Sequence, residues 1–208
     1  LMSDDTLRIV GEAEDSLGVK VINHPKLAMQ ATRQKNSERF ANQPGIIFPR
    51  IARYFSSEYL RGPLVGDIES RYTYPLIVRT VLEQMGKGTY LINNRAALQE
   101  VLDTLQNQQF YVINYISARH DNGNFRSMRV AFVNKRPIVI RADYSDNWNV
   151  RARRDIIRQN FYSDNPLLLA HANQIVADPE KELGTAALDK LHTIARMIPL
   201  DIFGMDFD

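Results

Sequence analysis

The sequence predicts an α+β protein in which antiparallel sheets are flanked by helices, and three observations carry that prediction. Residues 125–143 hold two strand-like runs joined by Asn134-Lys135-Arg136-Pro137 and preceded by the turn Asp121-Asn122-Gly123-Asn124, the pattern of an antiparallel meander. Ala97, Leu98, Val101, Leu102 and Leu105 recur at helical spacing behind Asn94, a residue suited to capping a helix. The elements read in order as β-turn-β-α-β-β-β-α-α-β, which argues against a doubly wound parallel sheet.

Taken along the chain, residues 7–22 are mixed: Leu7, Ile9 and Val10, a break at Gly11, then the short apolar segment 19–22. Asn23 is placed to cap a helix with Pro25 near its start. The stripe Leu27, Ala28, Ala31 and Phe40 continues that helix to Pro44-Gly45. Ile46-Ile47-Phe48 reads as a short strand closed by Pro49, and 56–73, with two glycines and a proline, reads as a loop. Leu76–Arg79 and Thr89–Ile92 are strands around the turn 85–88. Phe110 to Ile116 is apolar and β-branched, hence a buried strand. Residues 144–163 are polar and read as irregular. Helical patterns cover 166–177 and 183–197, Pro199 stops the second, and Ile202–Asp208 alternates like a strand.

Composition narrows the function. The 208 residues suit one domain or two small lobes, and 44% hydrophobic with 24% charged excludes global disorder. A net charge of +2 argues against a dedicated nucleic-acid protein. The absence of cysteine excludes disulfides, thiolate metal sites and cysteine nucleophiles. His24, His120, His171 and His192 show no metal-ligand spacing, and no Ser/His/Asp nucleophile arrangement is legible. No apolar run approaches the ~20 residues of a membrane-spanning helix, and residues 1–5 lack a signal-peptide pattern. A cytoplasmic location is the default. Arginine supplies 19 of the 26 basic residues, and its planar fork suits phosphate and carboxylate better than lysine's point charge.

Five groups of residues bear on chemistry, each with a plain structural alternative. Arg79 lies at the end of an apolar strand and is followed by Gly86-Lys87-Gly88. Glycines there allow a phosphate close to the backbone while the cations neutralise it; the alternative is an ordinary exposed hairpin turn. Strand 111–116 offers backbone groups to an adenine edge, or is simply core. Alternation places Arg129 with Ser127 and Ala131 on one strand face, and Arg126 with Met128, Val130 and Phe132 on the other. With Arg141 on the next strand, these arginines either line a cleft for a polyanion or pair with Asp143 or Asp121 at a rim. Asp206 and Asp208 project to one side of the last strand, as ligands for a hard cation or as unpaired acids. Arg151, Arg153, Arg154 and Arg158 near Trp148, Phe161 and Tyr162 are either a solvated face or a surface for single-stranded nucleic acid.

In this order the motifs resemble the ATP-grasp superfamily, in particular its glutathione-synthetase-like branch of carboxylate–amine ligases. The resemblance spans roughly residues 20–208. Val21-Ile22-Asn23-His24-Pro25 resembles the entry to the first helix, Gly45-Ile46-Ile47-Phe48-Pro49 the short "G-I-x-x-P" strand, and Tyr74-Pro75-Leu76-Ile77-Val78-Arg79 the strand ending in a phosphate-binding cation. Gly86-Lys87-Gly88 is similar to the glycine-rich flap, and Val112-Ile113-Asn114-Tyr115-Ile116 to the adenine- and ribose-contacting hinge. Arg129 in "R-V-A-F-V-N-K-R-P" is similar to the arginine that reaches the phosphates. Leu200–Asp206 resembles the "G-x-D" strand whose aspartate binds Mg²⁺.

The resemblance implies a two-lobed fold: a pre-domain tail at 1–44, a smaller lobe with the flap at 45–112, and a larger, incomplete lobe at 113–208. It implies ATP and Mg²⁺ as cofactors. ATP would convert a carboxylate to an acylphosphate that an amine then attacks, both substrates being small molecules or peptides. Catalysis would fall to Arg129 and Arg141, nucleotide binding to Arg79, Gly86, Lys87, Gly88, Ile113, Asn114, Tyr115 and Ile116, and metal binding to Asp206. No membrane partner is implied, nucleic acid is disfavoured, and a homodimer is compatible. Three features depart from the family pattern: Arg79 stands where lysine is commoner, 80–85 carries no glycine, and Asn114 replaces an acidic residue. The family's metal-binding "E-x-N" strand would follow Asp206, so the chain is expected to be a fragment of a longer one. The rival expectation is a non-catalytic nucleotide-binding or interaction domain with the same fold.

Overall fold

Two antiparallel sheets organise the chain in the computed structural model, which describes residues 4–18, 21–56, 61–81, 87–150 and 155–208. The elements are α1 (Asp4–Leu17), α2 (Pro25–Ala28), α3 (Arg33–Phe40), β1 (Ile51–Phe55), α4 (Arg61–Arg71), β2 (Leu76–Thr80), β3 (Thr89–Ile92), α5 (Arg95–Thr104) and β4 (Gln109–Asn114). They continue with β5 (Phe125–Val133), β6 (Arg136–Ser145), α6 (Asp155–Asp164), α7 (Pro166–Ala177), α8 (Pro179–Leu183), α9 (Thr185–Met197) and β7 (Ile202–Phe207). Residues Arg33–Ser117 form one compact unit; Leu1–Thr32 and Ala118–Asp208 form the other. The observed class is α+β with antiparallel sheets flanked by helices, as the sequence predicts. Among the described residues no helix is long and apolar enough to cross a membrane.

In the 33–117 unit the sheet order is β1-β4-β2-β3. Leu76, Val78, Phe110 and Val112 turn one face of it into a buried core with Leu64, Val65, Ile68 and Tyr72 of the α4 segment and Leu98 and Leu102 of α5. Asn94 caps α5 as expected, its side chain accepting from the Ala97 amide at 2.9 Å. Helix α4 occupies part of the stretch read as a loop. Pro63 sits in its first turn, where a missing N–H is tolerated, and the buried residues at 64, 65, 68 and 72 supply a helical stripe that the glycines obscure. Ile46–Phe48 is not a strand. Ile47 is 83% exposed, and the strand begins at Ile51, whose N–H donates to Ser37 Oγ at 2.9 Å.

In the other unit the sheet order is β6-β5-β7. Met128, Val130 and Phe132 face the core, Phe132 stacking on Phe203 with centroids 4.3 Å apart. Helices α7 and α9 pack on β6 and bury Ile175, Leu191 and Ile194. Helix α1 runs through Gly11 instead of breaking there, at a cost of about 1 kcal/mol relative to alanine that packing against α2 offsets. The helix expected from Asn23 onward is two pieces, α2 ending at Ala28 and α3 starting at Arg33, because the chain leaves one unit for the other between 32 and 33. His24, not Asn23, caps α2, its Nδ1 accepting from the Lys26 amide at 3.1 Å. Asn23 instead reaches the start of β7. Its Oδ1 accepts from the Asp201 and Ile202 amides at 2.8 and 2.9 Å, and its Nδ2 donates to the Ile202 carbonyl at 2.6 Å. The stretch read as irregular, 144–163, contains α6.

Candidate functional site

On the first sheet, cross-strand register aligns Arg53 with Tyr111, Tyr111 with Arg79, and Arg79 with Thr89. Residues directly opposite in antiparallel strands share a face, so these four form one row across all four strands. The adjoining row on that face is Ile51, Ile113, Ile77 and Leu91. Neither row contains a carboxylate. Lys87 and Gly88 form the turn at the Arg79 end of the β2–β3 hairpin. The Gly88 carbonyl accepts from the Thr80 amide at 2.9 Å, Gly88 has φ +58°, and Lys87 is exposed. Gly86 lies outside the described residues.

The hinge-like segment divides at the strand end. Ile113 is buried in β4, and Asn114 is the strand's last residue, its N–H donating to the Arg50 carbonyl at 3.0 Å. Tyr115 and Ile116 lie beyond the strand, Ile116 exposed. The Asn114 Oδ1 is buried with no hydrogen-bond partner among the described residues, an arrangement that costs free energy until a donor arrives.

On the second sheet, register aligns Arg141 with Arg129 and Arg129 with Asp206. Two arginines directly opposite one another repel, and each leans on an aspartate: Arg129 Nη1 donates to Asp206 at 3.0 Å, and Arg141 Nε lies 3.1 Å from Asp143. Arg158 reaches the same Asp143 at 2.5 Å with its guanidinium 5.5 Å from the Tyr162 ring centre. Burial pushes the Tyr162 phenol above its ordinary pKa. Arg126 and His120 both meet Asp208, at 3.2 and 2.9 Å. Arg151, Arg153 and Arg154 lie outside the described residues.

The structure therefore brings together Arg79 with Lys87 and Gly88 on one sheet, and Arg129, Arg141 and Asp206 on the other. Sequence reasoning overlooked Arg53, and it named Tyr111 and Gly204 only within their own strands, because the row that Tyr111 shares with Arg79 and the approach of Gly204 to Arg129 are revealed by register alone. A β-carbon at Gly204 would lie 2.7 Å from Arg129 Nη2 and 3.0 Å from both Cζ and Nε. As for Mg²⁺, no group of three acidic or histidine side chains able to hold a metal occurs among the described residues. The Asp206 carboxylate is engaged by Arg129. The described residues do not by themselves fit a metal centre.

No protein-family model matches the sequence, and no curated protein matches it. Solved structures do. The chain is similar to carboxyaminoimidazole ribonucleotide synthase from Aspergillus clavatus complexed with ATP, at 14% identity and TM-score 0.51, over 94% of this chain and 46% of that one. It is similar to the N5-carboxyaminoimidazole synthase of the same organism with ADP and 5-aminoimidazole ribonucleotide, at 13% identity and TM-score 0.51, over 99% of this chain and 47% of that one. The ATP-grasp ligase PsnB with precursor peptide PsnA2 and AMPPNP aligns at 13% identity and TM-score 0.48, over 95% of this chain and 50% of that one. The likeness at TM-score 0.51 is one of fold: this chain shares the fold of the matching part of those two synthases. The chain spans about half the length of the structures it matches.

Proposed function

We propose that the chain is the nucleotide-binding part of an ATP-dependent ligase, of the glutathione-synthetase-like type, joining a carboxylate to an amine. The observation that carries this reading is the carboxylate-free row Arg53–Tyr111–Arg79–Thr89 beside an apolar row, with Lys87 at the hairpin turn. Such a face suits a ligand that is apolar at one end and polyanionic at the other. Arg79, Lys87 and the Gly88 backbone grip the phosphates. The segment Ile113–Ile116 holds the base and sugar, with the orphaned Asn114 oxygen accepting from a ribose hydroxyl.

In the reaction a carboxylate oxygen of the acceptor attacks the γ-phosphorus, the bond to the ADP oxygen breaks, and an acylphosphate forms. The amine then adds to the acyl carbon, phosphate leaves, and the amine's proton passes to solvent. Arg129 and Arg141 neutralise charge on the transferring group, so the protein contributes positioning and electrostatics instead of a nucleophile. Mg²⁺ bound with the nucleotide would supply counter-charge to its phosphates. The engagement of Asp206 by Arg129 favours a second reading, a domain that binds nucleotide without turnover.

Calorimetric titration tests the assignment. Arg79→Ala and Lys87→Ala should each weaken Mg·ATP binding about tenfold, the scale of one charge-assisted contact; wild-type affinity in both would overturn it. ADP release across carboxylate and amine panels separates the readings: binding without ADP formation selects the non-catalytic domain.

A further inference from the structure

The Arg129 side chain does not simply project from its strand. Its guanidinium lies over the backbone of the neighbouring strand, close enough to Gly204 that an added β-carbon would stand 2.7–3.0 Å from three of its atoms. Gly204 sits opposite Ala131, one cross-strand row from the Arg129–Asp206 pair. Asp206 takes the Nη1 end of the fork at 3.0 Å. On the other side Arg141 directly faces Arg129 and repels it. Three influences thus converge on one orientation: like charge from Arg141, opposite charge from Asp206, and a bare strip of backbone at Gly204.

An exposed ion pair by itself holds a long side chain weakly, and this pair is over a third exposed at both ends. The missing β-carbon supplies the second constraint, since it lets a planar group lie flat where any other residue would lift it. A group that collides only with the end of a flexible side chain shifts that side chain and leaves the backbone in place.

We propose that Gly204 and Asp206 are positioning residues for Arg129: together they cradle its guanidinium flat across β7, so that its remaining N–H donors face a bound anion in one fixed orientation. The proposal rests on the nucleotide-binding reading for the identity of that anion, the phosphates of ATP. The Gly-x-Asp spacing is then a two-point mount for an arginine. Gly204 serves by absence and Asp206 as an acceptor, and Asp206 acts in this role without a metal.

The test is a mutant cycle read in two ways. ATP affinity is measured in EDTA, so that metal ligation cannot contribute, for wild type, Gly204→Ala, Arg129→Ala, the double variant, Asp206→Asn and Asp206→Ala. Gly204→Ala should weaken ATP about tenfold, as Arg129→Ala does, with no further loss in the double variant. Asp206→Asn, which keeps an acceptor oxygen, should retain more affinity than Asp206→Ala. In parallel the Arg129 Nε–H resonance is followed by NMR without nucleotide; it should shift in Gly204→Ala while the backbone amides of β5 keep their positions. Wild-type ATP affinity in Gly204→Ala, or additive losses in the double variant, overturns the proposal. If wild type binds only Mg·ATP, the same cycle is read with Mg·ATP; if it binds neither ATP nor Mg·ATP, the nucleotide-binding reading fails. The cradle then stands or falls on NMR alone: an unmoved Arg129 resonance in Gly204→Ala overturns it.

Discussion

Replacing Asn23 by alanine removes one side chain that makes three hydrogen bonds to the start of β7, two from backbone amides to Oδ1 and one from Nδ2 to the Ile202 carbonyl. A net contribution of about 0.5–1.5 kcal/mol per bond sets a range of roughly 1.5–4.5 kcal/mol. Water can replace the lost partner at the exposed end of this site, which pulls the expectation down to about 2 kcal/mol. With a urea slope of about 2 kcal/mol per molar, the unfolding midpoint of the unit containing β7 falls by about 1 M. Equilibrium urea unfolding, followed alongside hydrogen exchange at the Ile202 amide, measures both the global and the local loss. Asn23→Asp keeps an acceptor for the two amides but sets a carboxylate oxygen against the Ile202 carbonyl, so it should recover only part of the loss. A midpoint shift below about 0.2 M with unchanged exchange at Ile202 would refute the claim that this carboxamide anchors the strand carrying Gly204 and Asp206.

Two further outcomes follow from the same reasoning. Asn94→Ala should cost the 33–117 unit about 1 kcal/mol, because the Ala97 amide loses its cap; denaturation of Asn94→Gly, expected near wild type, provides the control. Burial raises the phenols of Tyr54, Tyr72, Tyr74 and Tyr162, that of Tyr74 to about 12, with Glu69 adding to the burial effect. An unfolded phenol ionises near pH 10. The folded chain therefore keeps protons that the unfolded chain has lost, and this stabilisation, complete below pH 10, is lost as pH rises through about 12. Near-ultraviolet titration of the nine tyrosines should show a late-ionising group whose release coincides with alkaline unfolding; nine phenols titrating together near pH 10 would contradict it.

Features that lie within one strand, turn or helix are legible in local pattern. Arg79 at the end of β2, the turn at 87–88 and the capped helix behind Asn94 all follow from periodicity and turn chemistry over a dozen residues. The errors lie where tertiary contacts override such signals. Gly62, Pro63 and Gly66 disguised α4, which forms because its stripe from Leu64 to Tyr72 has a sheet to bury against. Asn23 was a reasonable cap by type, yet a strand nearly the whole chain away claims its carboxamide.

The sequence by itself determined the class of the fold, the strands of both sheets apart from β1, and which cations occupy strand ends and turns, because these depend on alternation and spacing within one segment. Only the tertiary structure decided which residues share a row. Arg53 and Tyr111 join Arg79 through pairing between segments far apart in sequence, and Arg129 acquires Asp206 and the bare backbone of Gly204 in the same way. Register is a property of pairs of strands, and no single segment encodes it. For that reason the contact between Arg129 and Asp206, which neither segment shows alone, exists only in the folded chain.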